Sequence, residues 1–201
     1  MKKKKDIYVT FDFETLGNTT QAPPVQIAAV AWLAKKEFQI VDDFTLNINV
    51  KDLQRYDFKP TYSTILWWLS KECAQEARDD AFNQKNSKNL ADVITEFELW
   101  LTELRKDYKI RAIWQHGSFD DPILRNITHQ LGYKMPYHYR LASDIRTLKQ
   151  LKGEPTVEFK GTKHIAIDDC RYQAEYLNEL LFRSAAEVKR LKKLKDAKID
   201  K

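Results

Sequence analysis

The chain has 201 residues, 43% of them hydrophobic and 31% charged, which suits one sizeable globular core and excludes a disordered segment. Its net charge of +5 is carried between residues 183 and 201, where eight Lys/Arg face three Asp/Glu; residues 1–182 are neutral, and acidic once Lys2–Lys5 are set aside. Cys73 and Cys170 are too few for a disulfide framework, no apolar run is long enough to span a bilayer, and Lys2–Lys5 lead into Asp6 rather than an apolar leader, so a reducing cytoplasm is expected.

In chain order, Ile7, Val9 and Phe11 alternate as in a strand that ends near Gly17. The breaker-rich stretch from Gly17 to Pro24 is a loop. Val25–Leu33 reads as a buried second strand, and Glu37–Asn49 as a third, alternating at Phe44, Leu46 and Ile48. Three strands with short connections form an antiparallel meander. A helix is expected from Ser63 through Trp67, Trp68 and on toward Ala77. Leu90, Val93, Ile94, Phe97, Leu101 and Leu104 recur at helical spacing and define an amphipathic helix over 89–107. Ile110–Gln115 is a short strand, followed by a loop and a helix through Leu124 and Leu131. A short helix spans Asp144–Leu151, residues 152–163 are a glycine-bearing loop, and one long helix runs from Ala166 to about Leu194. The order predicts an α/β layer fold around a central mixed sheet. Three segments are expected: a basic tail at 1–5, one globular domain at 6–188 and a basic helix end or tail at 189–201.

Asp12 and Glu14 stand two residues apart on the first strand, hence on one face. Two adjacent carboxylates repel unless a cation lies between them, and carboxylates suit hard ions such as Mg²⁺ or Mn²⁺. Taken alone the pair reads first as a solvated turn, and the metal reading needs partners elsewhere in the chain. Asp120 follows the strand at 110–115, where Asp120 or Asp121 also fits a helix N-cap with Pro122 in the first turn. His164 precedes Asp168 and Asp169, which open the last helix, where the helix dipole favours acids in any case. Spacing leaves open which of these two aspartates shares a site with His164.

As a set, Asp-x-Glu at a first-strand tip, Phe119-Asp120 after a later strand and His164 five residues before Asp169 resemble the DEDD-type 3′–5′ exonucleases of the ribonuclease-H-like fold, in their histidine subclass. The segments Asp12–Gly17, Thr64–Leu69, Trp114–Asp120 and Asp144–Leu148 are similar to a phage-type branch that includes phage exonuclease A and a bacterial exoribonuclease-like domain. The resemblance extends from Asp6 to Leu181. It departs from that branch at Gln115-His-Gly-Ser118, where a Gly-Asn-Gly-type stretch is usual.

The resemblance implies a ribonuclease-H-like fold and two Mg²⁺ or Mn²⁺ ions held by Asp12, Glu14, Asp120 and Asp169. His164 would be the general base, in a hydrolysis that releases nucleoside monophosphates from a free 3′ end. Thr15, Leu16, Gly17 and Phe119 become the candidate contacts to the terminal nucleotide. Single-stranded DNA is slightly favoured as substrate, single-stranded RNA or an oligoribonucleotide being the alternative. A non-catalytic nucleic-acid-binding module would be expected to lack one of the five residues. Trp67 and Trp68 are expected in the core, Asp144 as a helix cap, and Arg146 or Arg171 near phosphates. No membrane partner is implied, and the oligomeric state is open.

Overall fold

The computed structural model describes residues 3–188 and 190. Five strands form one mixed sheet in the order β3-β2-β1-β4-β5. β1 (Lys5–Thr15), β2 (Pro24–Leu33) and β3 (Ile40–Asn47) make the antiparallel meander, while β4 (Tyr108–Gln115) and β5 (Ala142–Asp144) run parallel to β1 and to each other. The third strand is shorter than its alternation suggests, because Leu33 N donates to Gln39 O and closes the turn before Ile40.

Strand alternation sorts β1 onto two faces. Ile7, Val9, Phe11 and Phe13 join the core beneath α3 (Leu90–Asp107) and α4 (Asp120–Leu131). The even positions face the other layer, where Ala28, Val30 and Trp32 of β2 pack on α6 (Ala166–Phe182). β2 is buried along its whole length, which explains its unbroken apolar run. Asp12 and Glu14 therefore share a face, and it is the α6 face.

The expected helix from Ser63 to Ala77 is two helices, α1 (Tyr62–Leu69) and α2 (Gln75–Ala81). The chain turns at Ser70 because Arg78 of α2 donates back to the carbonyls of Trp68, at 2.8 Å, and Ser70. Asp80 then accepts from Gln26 of β2 at 2.8 Å, locking α2 to the sheet. The helix over 89–107 is found as α3. No side chain of its N-cap residue, Asn89, satisfies its first turn; Leu90 N donates instead to Asp52, 38 residues earlier, at 2.8 Å. All six periodic positions of α3 are buried. Leu101→Ala should accordingly cost about 2–5 kcal/mol of stability, read from urea unfolding at constant m-value, with activity per folded molecule unchanged.

The last helix is also interrupted. α6 ends at Phe182, where the buried Arg183 guanidinium bonds Glu179 and the carbonyls of Lys152 and Glu154. Ser184 then opens a new helical turn at Ala185 by a capping box: Glu187 N donates to Ser184 Oγ, and Ser184 N donates to Glu187 Oε2 at 2.8 Å. That signature is present in the sequence as Ser-x-x-Glu but is masked by the helical period around it. The expected continuation from Leu191 to Leu194, and the basic end at 189–201 apart from Arg190, lie outside the described residues. Among the described residues, no helix is long and apolar enough to cross a membrane.

Candidate metal centre

The site forms where the parallel strands β1 and β4 end. β1 pairs with β4 only as far as Thr10↔Trp114, then runs on beside β2, with Asp12 opposite Ala28 and Glu14 opposite Gln26. This overhang opens a cleft of about 640 Å³ lined by Asp12, Glu14, His116, Phe119, His164 and Asp169, among others. Its outer wall is α1, anchored where Trp68 Nε1 donates to Thr15 O at 2.9 Å.

Each carboxylate is held by a different element. Asp12 accepts from Gln173 Nε2 of α6 at 3.4 Å, and Gln173 in turn accepts from Thr10 at 3.1 Å. Asp120, fully buried at the start of α4, accepts from His116 N at 2.9 Å and from Phe13 N at 3.4 Å. It is thus not a cap of its own helix but a clasp between β1 and the β4 loop. Asp121 is not a cap either. It pairs with Arg125 at 2.5 Å and accepts from Tyr137 at 2.8 Å, away from the cleft. Asp169 accepts from His164 N at 2.8 Å.

The two aspartates of α6 turn to different sides. Asp168 turns to Thr162 N, at 3.0 Å, and toward Arg171. Gly161 makes room for it: a Cβ there would lie 2.4 Å from the Asp168 carboxylate, and the backbone has φ +109°. Asp169 faces the cleft. His164 itself adopts φ +67°, uncommon for a residue with a side chain, and its exposed ring stands edge-on to Trp67 at 4.6 Å.

Two donor groups result. Asp12, His116 and Asp120 form one, and Glu14, His164 and Asp169 the other; within each, the ligand atoms lie within 4.8 Å of one another. Sequence reasoning brought together Asp12, Glu14, Asp120, His164 and Asp169 but passed over His116, seen there only as a departure from the phage-type pattern. Its Nδ1 lies 3.2 Å from Asp120 Oδ2 and 3.7 Å from Asp12 Oδ1. Its offset of four residues from Asp120 is visible in the sequence but says nothing of Asp12 until the fold brings β1 beside the end of β4.

Of the other candidates, Thr15, Gly17 and Phe119 line the cleft, whereas Leu16 lines an adjoining hollow with Ile65, Leu69 and Phe82. Trp68 is core, as expected; Trp67, partly buried, packs against the same cluster and also walls the cleft. Asp144 is the cap of α5 (Ile145–Lys152), accepting from Arg146 N and from Thr147 N. Arg146 donates to Ser118 at 2.5 Å, and Arg171 is paired with Asp43 at 2.8 Å.

The electrostatics match a cation site. Burial first, then the charge of Asp120, raises the Asp12 carboxyl above its ordinary value. Burial and then Asp12 hold Glu14 well above its own, and the same two causes push Asp169 up to about 6. Hydrogen bonds to Asp12 and then Asp120 push His116 up to about 9, against burial. Three crowded acids that resist ionisation, with an imidazole drawn to them, are groups that could hold a divalent cation.

A pH dependence follows. Carboxylates with raised folded values cost stability as they ionise, so Asp169 loses stability as pH rises from about 3.8 to about 6. His116, raised from 6.5 to about 9, contributes stability that is complete below 6.5 and lost as pH rises through about 9. Both signs agree. In chelator the melting temperature should fall between pH 6.5 and 9, and His116→Asn should flatten that fall; a flat wild-type profile would refute it.

Comparison with known proteins shows a family and a fold. A family model described as the 3′–5′ exoribonuclease Rv2179c-like domain matches residues 7–181. No curated protein matches the chain. Among solved structures, exonuclease I, in a study of how processivity is achieved, superposes with a TM-score of 0.61 at 17% identity, over 93% of this chain and 43% of that one. The zinc-bound form of an E. coli exonuclease I–single-stranded DNA complex gives 0.55 at 18% identity, over 87% and 40%. The chain spans less than half the length of these exonuclease I chains, and the likeness shows the shared ribonuclease-H-like fold. With the family match covering most of its length, the chain belongs to the Rv2179c-like family of 3′–5′ exoribonuclease domains.

Proposed function

We propose that this protein is a metal-dependent 3′–5′ exonuclease that hydrolyses single-stranded nucleic acid to nucleoside monophosphates. The observation that carries the reading is the meeting of Asp12, Glu14, His164 and Asp169, from β1 and the α6 entrance, in one cleft at the sheet's carboxyl end, with Asp120 of α4 buried behind it within ligand distance of Asp12. Asp12 with Asp120 would hold one divalent ion, and Glu14 with Asp169 a second. Mg²⁺ or Mn²⁺ bound there supplies Lewis-acid stabilisation of charge on the phosphate and the leaving oxygen.

The chain's own groups do the rest. His164 accepts the proton of the attacking water at a ring nitrogen. Its loop, stopped against Trp67 and tied to Asp169 through its backbone N–H, brings the ring to the cleft mouth without burying it. Phe119 and Trp67 present aromatic surface on which the terminal bases can stack, an interaction worth about 1–3 kcal/mol per base in single-strand binders. Gln173 fixes the orientation of Asp12.

The resemblance read from the sequence tilts slightly to DNA, though no motif reports on the 2′-hydroxyl; the family description favours RNA, and we take RNA as the first substrate to test. The experiment is hydrolysis of 5′-labelled RNA and DNA single strands of one sequence, with Mg²⁺, Mn²⁺ or chelator. A metal-dependent ladder shortening from the 3′ end is expected, faster on RNA. No cleavage of either strand in any metal would overturn the reading in favour of a binding module. The domain itself is taken as residues 6–188.

A further inference from the structure

We infer that His116 is a nitrogen ligand to the ion held by Asp12 and Asp120, and that this makes the position selective for a first-row transition ion, Mn²⁺ before Mg²⁺. The inference rests on the nuclease reading only for the presence of an ion between these two carboxylates.

The argument begins with the backbone. His116 is the first residue past β4, and three hydrogen bonds pin it there. Its N–H donates to Asp120 Oδ2 at 2.9 Å, and its carbonyl accepts from Phe119 N at 2.8 Å and Asp120 N at 3.0 Å. The residue cannot leave the site, only rotate its ring within it. That ring is mostly buried, with Nδ1 aimed between Asp12 and Asp120. An ion placed between the two carboxylates has the imidazole nitrogen within reach, since the three ligand atoms lie within 4.8 Å of one another. On binding, the nitrogen exchanges its proton, released to solvent, for the ion.

Chemistry then sets the selectivity. Mg²⁺ is hard, demands oxygen and keeps its water, whereas affinity for a nitrogen donor begins at Mn²⁺, which also takes carboxylates, and rises through the later first-row ions. A two-carboxylate, one-imidazole set is therefore a poorer Mg²⁺ site than the all-oxygen set it would be with an amide or a water at this position. The donor group of Glu14 and Asp169 has its own imidazole, His164, but that ring is exposed on a loop and edge-on to Trp67, so it is free to serve another role.

The competing account is that His116 is only a counter-charge, neutralising Asp12 and Asp120 until an ion displaces it. The two accounts differ in sign. A ligand, once removed, weakens Mn²⁺ binding; a competing cation, once removed, strengthens it.

The experiment is Mn²⁺ and Mg²⁺ titration of the intact protein by calorimetry, with pulsed EPR of the Mn²⁺-loaded form, for wild type, His116→Ala and His164→Gly. We expect a ¹⁴N coupling to Mn²⁺ in wild type that persists in His164→Gly and disappears in His116→Ala. Mn²⁺ affinity at one site should fall by at least about tenfold in His116→Ala while Mg²⁺ affinity changes little. His116→Gln, which returns an oxygen donor, should bring the two affinities closer together and retain the wild-type circular dichroism. Absence of ¹⁴N coupling in wild type, its persistence in His116→Ala, or tighter binding of both ions in that variant would each overturn the inference. Hydrolysis by the same wild-type preparation with either ion tests the nuclease reading separately: nitrogen coupling without hydrolysis sinks that reading, and hydrolysis without coupling sinks this one.

Discussion

Asp12→Asn should abolish hydrolysis and at the same time raise the melting temperature of the chelated protein. The two effects have one cause. Asp12 is placed on the α6 face of β1 by strand alternation, within reach of Asp120 and near Glu14 and Asp169. Burial and the Asp120 charge hold its carboxyl above the ordinary value despite help from His116 and Gln173. At pH 7.5 an ionised Asp12 therefore costs the metal-free fold stability. Asparagine is nearly isosteric, keeps an oxygen for Gln173 Nε2 and removes the charge. For a chain of this size each kcal/mol of relieved repulsion raises the melting temperature by about 2–4 °C. Catalysis moves the other way, because an uncharged amide is a poor ligand for a hard cation. Removing one preorganised electrostatic group typically costs about 10²–10³-fold, and loss of an ion with it costs more. Differential scanning fluorimetry in chelator beside a single-turnover assay reads both effects. A variant that is inactive but less stable than wild type would mean that Asp12 is structural, and an active variant would remove it from the site. Added Mn²⁺ should raise the melting temperature of wild type more than that of Asp12→Asn, since only binding to the native state shifts the unfolding equilibrium.

Much of this site was legible because its residues obey local rules. The period of two along β1 puts Asp12 and Glu14 on one face whatever the rest of the fold does. The set of acids in order, read as a resemblance, selected Asp169 over Asp168, a choice the local spacing alone left open; the structure shows the reason in Gly161, whose open backbone lets Asp168 turn away. What stayed hidden depends on contacts distant in sequence. Arg78 turns the chain at Ser70 by capping carbonyls on the neighbouring helix, and Asp52 caps α3 from 38 residues away. Neither leaves a mark in a hydrophobic period. Asp121 looked like a helix cap because Asp before Pro is a cap signal, yet the buried Tyr137 hydroxyl and Arg125 claim it first. His116 was hidden for another reason. A single histidine in a loop carries no spacing information until Asp12, 104 positions earlier, is known to lie beside it.

The second large effect concerns His164, and its unusual backbone decides which variant to make. At φ +67° an alanine is strained, so a loss of activity in His164→Ala mixes chemistry with loop displacement. Glycine accepts that conformation freely and asparagine tolerates it, so these two substitutions remove the imidazole and keep the backbone N–H that bonds Asp169. If the ring takes the proton of the attacking water, both variants should lose about 10²–10⁴-fold in kcat with KM for the single strand little changed. Free imidazole should restore part of the rate in His164→Gly, where a cavity opens beside Trp67. Metal titration should remain close to wild type, since Glu14 and Asp169 are intact. If His164 serves only to shape the loop, His164→Gly will turn over at the wild-type rate and imidazole will do nothing. If it serves mainly as a metal ligand, both variants will bind Mn²⁺ weakly and excess Mn²⁺ will recover the rate. The general-base role predicts neither result: saturating metal leaves the defect in place, because the missing group is the one that accepts the proton.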